Sequence, residues 1–111
     1  MSTEASARQL RIAFAGDRQL AVDVLDYLFG LEVRPLALLV SSPRSASHAE
    51  ELIQRCEHLD EEHVWRGRAF RQPGVPALLR ELDLDLLVSV HFPYLVPREI
   101  LEIQRTSLTG H

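Results

Sequence analysis

The residues best suited to chemistry lie in three short stretches, of which the richest is Val90-His-Phe-Pro-Tyr-Leu-Val-Pro97. Pro93 and Pro97 fix the backbone and remove two N–H donors, so this is a rigid turn of defined shape. Phe92, Pro93, Tyr94, Leu95 and Val96 are too apolar for an ordinary surface loop. They either pack inward or wall a pocket for a flat ligand. A second stretch, Gly16-Asp17-Arg18, follows an apolar run and opens an amphipathic one. It could receive a phosphate on Arg18 and the first N–H groups of a helix, or serve as a solvated turn and helix cap. The third, Ser107-Leu-Thr-Gly-His111, reads as the start of a further strand and sets Thr109 and His111 two residues apart.

Other clusters read as structural. His58-Leu-Asp-Glu-Glu-His63 gathers two imidazoles and three carboxylates. Its spacing fits no closed zinc site and it lacks cysteine, so a solvated acidic helix end is the reading and no metal is assigned. Cys56 falls on an apolar helix face and reads as packing. Trp65 and Phe70 read as core anchors, and His48 as exposed.

Positioning these residues requires elements with clear periodicity. Residues 10–15, 36–40 and 84–90 are near-continuous apolar runs, as expected of strands buried on both faces. A weaker strand is expected at Val64 and Trp65, and Thr106, Ser107 and Leu108 begin another. Between them, Ala21, Val24, Leu25 and Leu28 recur at helical spacing, and Gly30 is placed to stop that helix in a left-handed cap. Ser47 and Glu50 form a capping box before Ala49, Leu52, Ile53 and Cys56. Pro76 suits a first helical position ahead of Leu78, Leu79 and Leu82, and Pro97 opens a short helix. The alternation predicts an α/β chain with a Rossmann-like, doubly wound, mostly parallel sheet, incomplete at its C-terminus. Residues 1–8 read as a flexible tail and residues 9–111 as a single partial domain.

Composition narrows the function classes. The chain has 111 residues, 46% hydrophobic and 25% charged, with a formal net charge of −4. That balance leaves no basic footprint for nucleic acid. All twelve cationic side chains are arginine. Schiff-base, P-loop and phosphorelay chemistry, which need lysine, are thereby excluded. A dinucleotide site lacks its later glycines, and Ser41-Ser42 stands where a ribose-binding acid is expected. One cysteine and no signal-like or membrane-length apolar run predict a cytoplasmic protein without membrane association.

Leu10-Arg-Ile-Ala-Phe-Ala-Gly16, the strand and proline-flanked turn of residues 85–97, and Glu99-Ile-Leu101 occur in the order found in one known family. Together they resemble the N-terminal domain of formyltransferases, which move a formyl group from N10-formyltetrahydrofolate to an amine. The wording of Ser89-Val-His-Phe-Pro-Tyr-Leu-Val-Pro97 is most similar to the sugar N-formyltransferases. The resemblance implies that Phe92, Pro93, Tyr94, Leu95 and Val96 bind the folate donor and that Gly16, Asp17 and Arg18 contact substrate. It places His111 at the catalytic histidine, stabilising the developing oxyanion and moving protons. Thr109 falls where the family's Asn-x-His motif has asparagine, a departure, because a hydroxyl cannot match an amide's paired donor and acceptor. The family's following loop and aspartate would lie beyond residue 111. The implied partner is a small amine such as a nucleotide-linked amino sugar. This chain is expected to be inactive alone and to self-associate through an exposed sheet edge. The alternative is a non-catalytic remnant, or a module binding a small ligand or partner.

Overall fold

The computed structural model describes residues 10–42, 48–94, 96, 98–101 and 106–110. The expected tail, Ser47, Leu95, Pro97 and His111 lie outside these residues. Five strands form one sheet: β1 (Ile12–Gly16), β2 (Ala37–Val40), β3 (Val64–Arg66), β4 (Leu86–Val90) and β5 (Thr106–Gly110). Their spatial order is β3-β2-β1-β4-β5 and every pairing is parallel. This is a Rossmann-like doubly wound sheet, as the alternating pattern predicts, with its topological switch between β1 and β4.

Helices α1 (Arg18–Gly30) and α2 (Ala49–Arg55) cover one face, and α3 (Val75–Glu81) and α4 (Arg98–Leu101) the other. Strand alternation divides the core between them. Phe14, Leu38 and Val40 point toward Ala21, Val22, Leu25, Leu52 and Cys56. Ala13, Ala15, Ala37 and Leu39 face Trp65, Phe70, Val75, Leu79 and Ile100. The second face has three alanines on the central strands, which lets the large side chains of the Trp65–Leu79 segment sit close to the sheet. Cys56 is buried, and desolvation of its thiolate pushes the thiol up to about 12.

Three local expectations change. Gly30 is the last residue of α1, and the left-handed position falls instead on Glu32, with φ 64°. Val33 N donates to Leu28 O at 2.9 Å and Glu32 N to Phe29 O at 2.9 Å, which is a Schellman closure two residues later than expected. The N-cap of α2 is His48, which makes no side-chain capping bond, and that histidine is half-buried, not exposed. Its backbone N–H is drawn inward by Asp17 Oδ1 at 3.2 Å. The acidic segment is not a helix end: α2 closes at Cys56, and Glu61–His63 forms a separate 3-10 turn leading into β3. There the ligand atoms of Asp60, Glu62 and His63 come within 4.8 Å of one another on an exposed turn.

At the amino end of the sheet Arg11 clasps β1 to the approach of β4. Its N–H donates to Asp85 Oδ2 at 3.1 Å, and its Nε donates to Leu82 O at 2.8 Å. The clasp sets the register in which Gly16 and Val90 finish level at the opposite end. Among the described residues no helix is long and apolar enough to cross a membrane.

Candidate functional site at the carboxyl edge of the sheet

In an open parallel sheet, ligands bind beyond the carboxyl ends of the strands, at the switch point. Here Gly16, Val90 and Gly110 stand level on three adjacent strands. The Gly16-Asp17-Arg18 turn, the segment after Val90 and the backbone of Gly110 therefore reach one edge.

Gly16 is there because nothing larger fits. An added Cβ would lie 2.8 Å from Ala21 Cβ, 2.9 Å from Phe14 Cε2 and 3.3 Å from Val90 O. The next residue closes the crevice floor, with Asp17 N donating to Val90 O at 3.1 Å. Asp17 is only 6% exposed. Its Oδ1 accepts Arg18 N–H at 2.7 Å and His48 N–H at 3.2 Å. The carboxylate thus occupies the position at the start of α1 that an anionic ligand would take. Arg18 is exposed and holds φ at 69°. Just after β2, Ser41 Oγ is buried with no hydrogen-bond partner among the described residues, as is His48 Nδ1.

Across the switch, His91 leaves β4 with φ 55° and an exposed imidazole. A left-handed, non-glycine residue costs about 1–2 kcal/mol, and it throws the following residues sideways over the edge. Phe92 and Tyr94 are half-buried, Val96 is half-buried against the α3 face, and Pro93 is exposed. The rings of Phe92 and Tyr94 meet edge to face at 5.3 Å, and Phe70 packs on both, at 5.6 Å and 6.4 Å. Tyr94 reaches past β1 to β2, where its hydroxyl accepts Ser42 N–H at 3.2 Å. Arg68 lies over the Tyr94 ring at 5.2 Å and Arg71 over the Phe70 ring at 5.6 Å.

The structure thus gathers Gly16, Asp17, Arg18, Phe92, Pro93 and Tyr94 at one edge, with Val96 packed beneath. Thr109 is in register with Ser89, one step before that edge, while Leu95 and His111 lie outside the described residues. Sequence reasoning missed the partners of the aromatic segment. Phe70, Arg68 and Ser42 come from two other loops, and no local spacing links them to residue 94. His91 was legible only as a residue at a strand end.

Away from this edge, an open groove of about 510 Å³ runs between α2 and β3, lined by Ile53, Cys56, Glu57, Leu59, Val64 and Arg66. It holds none of the residues singled out for chemistry, and its Cys56 is buried. No protein-family model matches the chain, and no curated protein matches it.

Proposed function

We propose that this chain carries the donor-binding part of a folate-dependent formyltransferase, which moves a formyl group from N10-formyltetrahydrofolate to a small amine, such as an amino sugar linked to a nucleotide. One observation carries the reading: the proline-bearing aromatic segment stands at the carboxyl end of β4, beside the switch of a β3-β2-β1-β4-β5 sheet. That is where such a sheet receives flat ligands. In this reading Phe92, Pro93, Tyr94, Leu95 and Val96 line the pterin site, and Gly16, Asp17 and Arg18 face the acceptor. His111 would stabilise the oxyanion and carry the proton from the attacking amine. Thr109 would take the place of the asparagine that holds the formyl oxygen. The amine nitrogen attacks the formyl carbon, the C–N bond to the folate breaks, and the amine proton passes to the departing folate nitrogen.

The test is titration of the chain with 5-formyltetrahydrofolate, a stable reduced folate. Saturable one-to-one binding that Phe92→Ala abolishes supports the proposal. Absence of binding at millimolar ligand refutes it.

A second reading, a non-catalytic module with an aromatic plug, is favoured by one observation. Phe92, Tyr94 and Val96 pack against the core that contains fully buried Phe70. On that reading Phe92→Ala lowers stability by about 2 kcal/mol or more, as for truncation of a packed aromatic, and the unmutated chain ignores folate.

A further inference from the structure

The guanidinium of Arg68 is held in a defined place yet has no anionic partner among the described residues. β3 ends at Arg66, and Gly67, at φ 59°, turns the chain while its N–H donates to Val40 O at 2.8 Å. Glycine is favoured at this turn by the left-handed φ, and it lies beside Ser42, whose Cβ is 3.5 Å from where a side chain would begin. The turn delivers Arg68 onto the face of Tyr94, whose ring is itself fixed by Phe70, Phe92 and the Ser42 N–H. Arg55 and Arg66 are bound to Asp26 and Glu50, and Arg11 to backbone carbonyls. Among the described residues the Arg68 guanidinium, on an exposed residue, makes no hydrogen bond or ion pair.

A guanidinium lying on a ring turns its N–H donors outward in the plane, where they match the two oxygens of a carboxylate or phosphate. The other anion receptor at this edge, the start of α1, is already filled by the Asp17 carboxylate. The Asp17 carboxylate therefore competes with an entering anion at the β1 end, beside the exposed Arg18, whereas at the β2–β3 end Arg68 stands with no such competitor among the described residues.

We propose that Arg68 is the oxyanion-binding residue of the carboxyl-edge site, taking a carboxylate or phosphate of a flat small molecule laid beside Tyr94. The proposal rests on the folate reading for one source of that oxyanion, the glutamate tail. The diphosphate of a nucleotide-linked acceptor is the other source with the same chemistry.

Calorimetric titration of the full chain with three probes separates them: 5-formyltetrahydrofolate, 6-hydroxymethylpterin (which lacks the tail) and uridine diphosphate. Arg68→Gln should weaken the anionic probe that binds by roughly ten- to a hundredfold, as expected for loss of charged hydrogen bonds, and leave the tail-less pterin unchanged. Arg68→Lys, which keeps the charge without the fork, should fall between, and it carries the test should the glutamine variant fail to fold. Arg34→Gln is the control, because Arg34 stacks on Phe29 at 5.6 Å, before β2 at the opposite end of the sheet. A folate effect assigns the tail, and a uridine diphosphate effect the acceptor. Unchanged affinity in both Arg68 variants, or no binding of either anionic probe by the parent chain, overturns the proposal. Pterin binding that ignores Arg68 leaves the folate reading standing. Arg68-dependent binding of uridine diphosphate, with no folate or pterin binding, sinks the folate reading alone.

Discussion

Gly16→Ala tests whether the switch point is as tightly built as its geometry indicates. The new methyl would sit 2.8 Å from Ala21 Cβ and 2.9 Å from Phe14 Cε2, distances real Cβ atoms essentially never show. None of its neighbours can yield easily. Ala21 and Phe14 are fully buried, and Val90 O, at 3.3 Å, belongs to the strand paired with Gly16. Overpacking usually costs about 1–3 kcal/mol, and two sub-contact distances against rigid groups put this site near the upper end. With a urea m-value of about 1.5 kcal/mol per molar, a loss of about 2–3 kcal/mol lowers the unfolding midpoint by roughly 1.5–2 M. The matching fall in melting temperature is roughly 8–15 °C for a domain of this size. Adding Ala21→Gly removes the closest contact, so the double variant should recover part of the loss beyond additivity, despite the roughly 1 kcal/mol cost of glycine inside a helix. A Gly16→Ala chain unfolding within about 0.5 kcal/mol of the parent would refute the close approach of β1, α1 and β4.

Three further perturbations have defined outcomes. Burial raises the Cys56 thiol to about 12, while an unfolded thiol titrates near ~8.5. The unfolded chain therefore loses the proton first, so this residue's contribution to stability is intact below about pH 8.5 and falls as pH rises toward 12. In practice Cys56 should resist iodoacetamide at pH 8 until denaturant is added, and prompt labelling of the native chain would contradict the burial. Tyr94→Phe keeps the ring cluster but deletes the acceptor of Ser42 N–H, and should cost about 0.5–1.5 kcal/mol by urea unfolding. Glu32→Gly relieves a left-handed non-glycine residue at the end of α1. The strain of about 1–2 kcal/mol exceeds glycine's entropic cost of about 0.5–1 kcal/mol, so the melting temperature should rise by a few degrees, and a fall would argue against the Schellman closure.

Much of this protein is set locally. The near-continuous apolar runs at residues 10–15, 36–40 and 84–90, separated by helical spacing, allow little other than a parallel sheet covered on both sides, because strands so uniformly apolar must be buried on both faces. Cys56 was legible as packing from its place on a periodic face, and the weak Val64-Trp65 signal was enough to mark a strand, whose edge position only the sheet order shows. Cap chemistry was less legible. Gly30 looked like the helix stop, but the closing bonds to Leu28 and Phe29 put the left-handed residue at Glu32, since a helix end is decided by which carbonyls the following chain can reach. The candidate site divides in the same way. Residues 92–96 stood out by composition alone, being rigid and too apolar for a free loop. Their surroundings did not, because Phe70, Arg68 and Ser42 approach Tyr94 from sequence distances of 24, 26 and 52 residues. The alternative reading of Asp17 as a helix cap was legible, but not that its carboxylate is buried and also binds the distant His48 N–H. Periodicity encodes which face is buried, and so the fold. Which polar groups meet at the strand ends depends on loops converging from separate βα units, and only the assembled sheet brings those together.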